Sequence, residues 1–298
     1  MVLDKLDNLI EVSLKKPKKK IVVAAAEDDQ VLLALKQAHE LGIVEPILVG
    51  NKEKTKIIAE KIEFDISRFE FHEESEPAKS AKIAVRLVRE GYAQIIMKGL
   101  VGTADYLRAI LDKEIGLRTG NLLSHIGLFE IPTYHKLIAL TDAAQNIAPN
   151  LEEKISIIQN SIDLLHRLGI ENPKVALLAA VETVNPKMQA TVDASLITMM
   201  NRRKQIKGCT IDGPLAFDVA VSREASEHKG LESPVAGDAD LLVAPEIETG
   251  NALYKSFTYF AKGVVAAIIL GALVPIVLTS RADTERSKLM SIALASSY

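Results

Sequence analysis

The stretch from Ile21 to Gly50, IVVAAAEDDQVLLALKQAHELGIVEPILVG, decides the fold class. Ile21 to Ala26 is a continuous apolar run, Val31 to Leu41 places apolar side chains at helical spacing, Gly42 stops that segment, and PILVG makes a second short apolar run. The order predicts strand, helix, strand. A strand without a polar face is buried on both sides, as in a parallel sheet with helices above and below it. The predicted class is α/β.

Outward from this unit the alternation continues. Helices are predicted at Lys52 to Ile62, Pro77 to Glu90 and Ala104 to Leu111, and strands at Phe69 to His72 and Gln94 to Met97. LFEIP and KLIALTD read as two strands close enough to pair antiparallel or to form a sheet edge. The pattern resets at NIAPNLEE. Leu151 to Leu168 is a predicted helix, KVALLAA opens a second strand-helix series, and its next helix is placed near Pro186, a favoured first-turn residue. LLVAP, a helix from Gly250 to about Leu270, the strand PIVLTS and a helix from Asp283 complete the chain. No long linker separates the halves, so two packed domains with a small-molecule cleft are expected.

Composition narrows the function. The chain has 298 residues, 48% of them hydrophobic, which is ample for large cores. With 36 Lys and Arg against 39 Asp and Glu the formal charge is −3, so nucleic acid and anionic membranes are not expected partners. The apolar stretch Gly263 to Leu278 is shorter than a membrane span and is interrupted by Gly271 and Pro275; it reads as a buried helix running into a buried strand. One cysteine, Cys209, excludes an intrachain disulfide framework and fits a reducing cytoplasm. The first residues match neither a secretory signal nor a transit peptide.

Two glycine-bearing turns follow apolar strands and open onto helices: KGLVGTADYLR, with Lys98, Thr103 and Arg108, and PEIETGNALYK, with Gly250, Asn251 and Lys255. Such turns offer N–H groups to an anion, or simply allow a tight bend. Neither has the dinucleotide or P-loop spacing. A third feature is LTSRADTERSK, where a buried strand delivers Ser280, Arg281 and Asp283 to its carboxyl end, the edge at which open α/β sheets bind ligands. Arg281 suits a phosphoryl or carboxyl group, Ser280 an oxyanion and Asp283 a proton, whereas Asp283 as a helix cap and Arg281 as a solvated charge is the structural alternative. The six histidines lack a metal-ligand spacing; His125 and His135 lie in segments expected near the cleft. The basic run from Lys15 to Lys20 reads as a solvated turn or as a contact for a large anionic cofactor, and Asp212, Gly213 and Pro214 read as a turn.

In sequence order, VVAAAEDDQVLLAL, MKGLVGTADYLRAIL, IDGPLAFDVAV, VAGDADLLVAPEIETGNALYKSFTYFAKG and LTSRADTERSK resemble the phosphate acetyl/butyryltransferase family, most closely its butyryl branch. The resemblance covers nearly the whole chain. It implies two α/β/α domains with mainly parallel sheets, similar to the isocitrate/isopropylmalate dehydrogenase fold, with residues 1–145 and 268–298 in one domain and 146–267 in the other. It implies interconversion of butyryl-CoA, or a similar short acyl-CoA, and phosphate with acyl phosphate and CoA in a ternary complex. No prosthetic group is implied: coenzyme A and phosphate are substrates. A cytoplasmic homo-oligomer is implied. Arg281 would bind phosphate and Ser280 would steady the tetrahedral transition state. The family's base aligns without gaps with Ser287, so Asp283 stands as the substitute. Gly250, Asn251, Tyr254 and Lys255 match a GN-x-x-YK signature, while Thr103 and Arg108 resemble a Thr and an Arg of the corresponding acetyltransferase turn.

Three alternatives remain at this level. A phosphate acetyltransferase would differ only in its acyl pocket. A metal- and NAD-dependent oxidoreductase of the same fold would need a carboxylate cluster, for which Asp212, Asp218, Asp238 and Asp240 form the dense acidic group. A non-catalytic anion-binding protein would hold phosphate without releasing a thiol.

Overall fold

Ile21, Val22, Val23 and Ala24 are fully buried, and a computed structural model of the chain, which describes residues 4–279 and 283–298, shows why. The chain divides into two units, Asp7–Asn121 with Ala266–Tyr298, and Leu122–Val265 with the described residues up to Leu6. The first unit begins with α1 (Asn8–Leu14), β1 (Lys19–Ala24), α2 (Asp29–Glu40), β2 (Val44–Gly50), α3 (Lys52–Lys61), β3 (Glu70–Glu73), α4 (Pro77–Arg89), β4 (Ile95–Lys98) and α5 (Thr103–Ile110). The second holds β5 (Ser124–Glu130), β6 (Ile138–Thr141), α6 (Leu151–Arg167), β7 (Lys174–Leu178), α7 (Gln189–Arg202), β8 (Thr210–Leu215), α8 (Phe217–Val221), α9 (Arg223–His228), β9 (Leu241–Val243) and α10 (Ile247–Tyr259). Within β10 (Val264–Leu270) the chain returns to the first unit, which β11 (Ile276–Val277) and α11 (Glu285–Ser297) complete.

In the first unit the strand order is β3-β2-β1-β4-β11-β10. All neighbours are parallel except β10, which runs antiparallel to β11. β1 is central, so both of its faces are covered and its run is apolar throughout. Asp28 starts α2 by accepting from the N–H groups of Gln30 and Val31. The last helix, α11, is buried along most of its length, and its serines have partners: Ser291 accepts from Ala267 N at 2.9 Å, and Ser296 donates to Ile43 O at 3.1 Å. A buried hydroxyl left unpaired would cost roughly 1–3 kcal/mol, so these bonds are what allow a serine-rich helix inside a core.

In the second unit the order is β5-β6-β9-β7-β8. β5 and β6 form the expected antiparallel pair, and β6, β9, β7 and β8 are parallel. Asn150 and Glu153 start α6 with a reciprocal capping box.

Several expectations are corrected. α10 ends at Tyr259 and residues 264–270 are a strand, so the predicted helix from Gly250 to Leu270 is two elements. The apolar run that follows Gly263 is a strand, a turn and a short strand rather than a helix and a strand. Among the described residues no helix is long and apolar enough to cross a membrane. α7 starts at Gln189, past Pro186. Asp212, Gly213 and Pro214 lie within β8, where Pro214 is tolerated because β8 is the edge strand. By compactness the chain divides at Asn121/Leu122 and Val265/Ala266, and β5 goes with the second unit because β6, its hairpin partner, bonds to β9.

Candidate functional site

β1, β4 and β11 run side by side in parallel, with Ala24 opposite Lys98 and Met97 opposite Val277. Their carboxyl ends form one edge of the first unit. The KGLVGT turn is strapped to the end of β1: Gly99 N donates to Ala24 O at 2.9 Å and Leu100 N to Ala25 O at 2.7 Å. A Cβ on Gly99 would lie 2.1 Å from Ala25 O, so only glycine allows this approach. Gly102 precedes α5 without a side-chain cap, leaving Thr103 exposed as the first helical residue. Arg108 is also exposed, and its guanidinium is held by Asp105 at 2.5 Å in the same helix. Thr103 and Arg108 are five residues apart, about 7.5 Å along the axis and roughly 140° around it, so α5 does not bring them together.

Ser280 and Arg281 lie outside the described residues. The chain leaves β11 through Leu278 and the buried Thr279 at the carboxyl edge, beside the end of β4, and is described again from Asp283. The cap of α11 is Thr284, whose hydroxyl accepts from Ser287 N at 3.1 Å, so the reading of Asp283 as the cap is set aside. Asp283 carries its carbonyl oxygen within 2.6 Å of Lys288 Nζ, which donates to it. Ser287, at the position where the resemblance places a base, is buried in the first turn of α11 and hydrogen-bonded to Thr284 Oγ1.

In the second unit the GN-x-x-YK signature separates into two roles. Gly250 is buried, and a Cβ there would lie 2.1 Å from Asp142 O. Tyr254, one turn on, packs against Phe129 and His125 with ring centroids 5.1 and 5.6 Å apart, over the space that Gly127 leaves. These two form the packing face. Asn251 and Lys255 lie on the next stripe and are exposed, Asn251 being fixed by a 3.1 Å bond from Nδ2 to Ala143 O. The loop they rest on is organised by Asp142. Its buried carboxylate accepts from His125 N, Ala144 N, Gln145 N and Asn146 Nδ2 at 2.7–3.0 Å. Nothing in the isolated LTDAAQN segment announced that role.

Sequence reasoning also missed a cavity of about 930 Å³ at the carboxyl edge of this sheet, bounded by the segments that follow β6, β7, β8 and β9 and by the first turns of α7 and α10. Lys154 and Asp193 form an ion pair of 2.7 Å in its wall, both side chains less than a tenth exposed. Gln189 Nε2 donates to the other Asp193 oxygen at 2.8 Å. Glu246, the cap of α10, accepts from Thr249, which holds its carboxyl below the usual range with help from the Lys154 charge. Lys154 sits in α6 with the spacing of an ordinary polar face, and only its partner on α7 marks it. A second cavity, about 910 Å³, is lined by Phe217, Leu253, Phe257, Phe260, Tyr134 and Asp238, among others.

His135 bonds Asp238 at 2.8 Å, and His125 donates its backbone N–H to Asp142. Burial alone would raise the Asp238 carboxyl, but hydrogen bonds from Lys174, His135 and Lys136 outweigh it and hold it well below the usual range. The other aspartates of the acidic group are paired with cations: Asp240 with Lys136 at 2.6 Å, Asp218 with Lys229 at 3.0 Å, Asp212 with Arg202 at 3.8 Å. Among the described residues no group of three or more His, Cys, Asp and Glu could hold a metal ion. The basic run sits at the amino end of β1, opposite the carboxyl edge, with Lys18 bonded to Glu45 at 2.9 Å and Lys16 to Ser297 O. Cys209 is buried, and burial pushes its thiol up to about 11.

These features define a class: a two-unit α/β protein with glycine turns and an α10 signature at the carboxyl edges of parallel strands. The model of the family described as "Phosphate acetyl/butaryl transferase" matches residues 5–83 and 70–296. The chain belongs to that family. It is 49% identical over 267 residues to a phosphate butyryltransferase of Clostridium acetobutylicum, covering 90% of this chain and 89% of the relative. A phosphate acetyltransferase of Thermotoga maritima is 41% identical, covering 98% and 99%. Among solved structures, a branched-chain phosphotransacylase from Enterococcus faecalis V583 superposes with a TM-score of 0.81 at 35% identity, covering 93% of this chain and 97% of that one.

Proposed function

We propose that the protein interconverts butyryl-CoA and phosphate with butyryl phosphate and CoA. The observation that carries this reading is the 49% identity to a phosphate butyryltransferase over nine-tenths of both chains; the acetyltransferase relative stands at 41%. In the phosphorolytic direction a phosphate oxygen attacks the thioester carbonyl, a tetrahedral oxyanion forms, and the C–S bond breaks to leave the CoA thiolate, which takes up a proton. Arg281 holds phosphate through its planar fork and Ser280 donates to the oxyanion. Asp283 exchanges the proton with the thiol, whose free pKa of about 8.5 makes carboxylate assistance sufficient near neutral pH. Support for the first two roles is the course of β11, which delivers the chain to the carboxyl edge immediately before Ser280. Thr103 at the uncapped start of α5 is a further anion contact. Arg108 joins it only if it leaves Asp105. Gly250 shapes the α10 turn that presents Asn251 and Lys255 to substrate. The chemistry uses no prosthetic group.

The protein acts in the cytoplasm, in keeping with its single cysteine, and as a homo-oligomer, for which Tyr259 and Phe260, 62% and 88% exposed where α10 ends, offer apolar surface. The test of the reaction is thiol release from butyryl-CoA with and without phosphate, together with Arg281→Ala. The variant is expected to keep its fold, raise the phosphate KM and lower turnover; unchanged kinetics remove Arg281 from the site. Rates with acetyl-, propionyl-, butyryl- and isobutyryl-CoA then rank the acyl groups.

A further inference from the structure

One face of the second unit carries both a protruding ring and an apolar hollow. Phe260, at the end of α10, is 88% exposed. Its backbone is fixed: Phe260 N and Ala261 N donate to Ser256 O at 2.9 and 3.1 Å, and Gly263 N donates to Phe257 O at 2.8 Å. The ring therefore projects from a closed turn. It stands at the rim of the 910 Å³ cavity, whose walls include Phe217, Val221, Leu253 and Phe257. Phe217 and Phe257 pack with ring centroids 5.8 Å apart, and Phe217 is itself 38% exposed.

The polar groups of the wall ask little of an occupant. Tyr134 donates to Ala239 O at 2.8 Å, Asp238 is held by His135, Lys136 and Lys174, and Arg223 is exposed, so its charge stays in water. What fits is an apolar group without a counter-charge, and the same face supplies one. In a two-fold pair a surface meets its own copy, so a ring and a hollow side by side answer each other twice. At about 200 Å² per aromatic side chain, Phe260 and Phe217 bring about 250 Å² of exposed surface from each copy and about 500 Å² from the pair, roughly a third of a standard interface of about 1,600 Å². A small apolar molecule in the cavity would leave Phe260 bare. The cavity has the volume of a pocket for a drug-sized molecule, so the last turn of the partner's α10 has room behind the ring.

We propose that two copies of this chain pair about a two-fold axis at this face, each inserting Phe260 into the partner's cavity. There the ring meets Phe217 and Phe257, at the edge-on and tilted angles that aromatic pairs favour. The assignment rests on the homo-oligomer reading above and names the surface and the reciprocal contact through which it is made.

Native mass spectrometry and light scattering are run on the wild type, on Phe260→Asp, which removes the ring at an exposed position, and on Ser256→Trp, which fills the cavity from its wall. Thermal melts check that each variant folds, and Val221→Trp, from another wall position, replaces Ser256→Trp if that chain does not. Truncating one buried ring of this kind weakens association about tenfold or more. A symmetric pair loses two such contacts, so the dimer dissociation constant is expected to rise about hundredfold or more in each variant. An equal mixture of the two variants is expected to form a mixed pair tighter than either variant forms with itself, because Phe260 of the cavity-filled chain still finds the open cavity of the Phe260→Asp chain. A general loss of structure cannot produce that recovery. Folded variants that associate like the wild type, or a mixture no tighter than its components, overturn the assignment and leave the homo-oligomer reading standing. A wild-type protein that stays monomeric at every concentration refutes the homo-oligomer reading and the assignment together.

Discussion

Gly250→Ala isolates the packing of the α10 signature. On helix propensity alone the change stabilises by about 1 kcal/mol. The structure reverses that sign. The new Cβ would sit 2.1 Å from Asp142 O, 3.0 Å from its carbonyl carbon and 3.1 Å from Ala143 Cα, all backbone atoms of a loop tied down by the Asp142 carboxylate. A carbon and a carbonyl oxygen come to rest near 3.3 Å, so the start of α10 must move out by about 1 Å. Such a shift stretches the 3.1 Å bond from Asn251 to Ala143 O beyond hydrogen-bond range. Overpacking costs roughly 1–3 kcal/mol and the lost bond about 1 more, against the alanine gain, leaving a net destabilisation of about 1–3 kcal/mol. For a unit of this size that is a fall in melting temperature of roughly 3–10 °C. Circular-dichroism melts of wild type, Gly250→Ala and Asn251→Ala measure it, the last reporting the hydrogen bond alone. A Gly250→Ala protein that melts at or above the wild-type temperature refutes the close-approach argument.

Thr284→Ala removes the cap of α11 and is expected to cost about 1 kcal/mol in a denaturant titration, whereas Asp283→Asn leaves the melt unchanged and lowers turnover in the thiol-release assay. If Asp283→Asn destabilises and spares turnover, its role is structural. The folded-state pKa of Asp238 is depressed, so its contribution is present above the unfolded value of about 3.9 and is lost as pH falls through the folded value. The melting-temperature gap between wild type and Asp238→Asn is therefore expected to be full at pH 6 and to close from pH 4 downward; a gap that does not change with pH contradicts this. Cys209, with its thiol pushed up to about 11 by burial, is expected to react slowly with a disulfide reagent at pH 7.5 in the folded protein and fully in guanidinium. Rapid native labelling would show that the thiol is accessible.

The fold was legible where burial and period agree. Ile21 to Ala26 has no polar face because β1 is central in its sheet, and Leu151 to Arg167 keeps a helical stripe behind a capping box. It was obscured where burial erases the period. Val264 to Leu270 is apolar on both faces, so it shows no period of its own, and the Lys262-Gly263 stop that separates it from α10, like its β-branched residues, was the signal for a strand. Pro186 and the Asp212 to Pro214 segment misled because turn residues also occupy pre-helical loops and edge strands. For the site, the two glycine-bearing segments after β4 and β9 were legible from their place behind apolar strands, but only the structure shows that a side chain at Gly99 or Gly250 would strike backbone. Lys154, Asp193 and Asp142 were not legible. Their partners are 39, 39 and up to 17 residues away, and single-sequence spacing carries no record of such pairings.

The account is tested most directly by purified protein, butyryl-CoA and a thiol reagent, with phosphate present or withheld, in the wild type and in Arg281→Ala. Phosphate-dependent thiol release that saturates with phosphate, and a phosphate KM raised in the variant, is the expected result. Thiol release at the same rate without phosphate, or none at all, contradicts it.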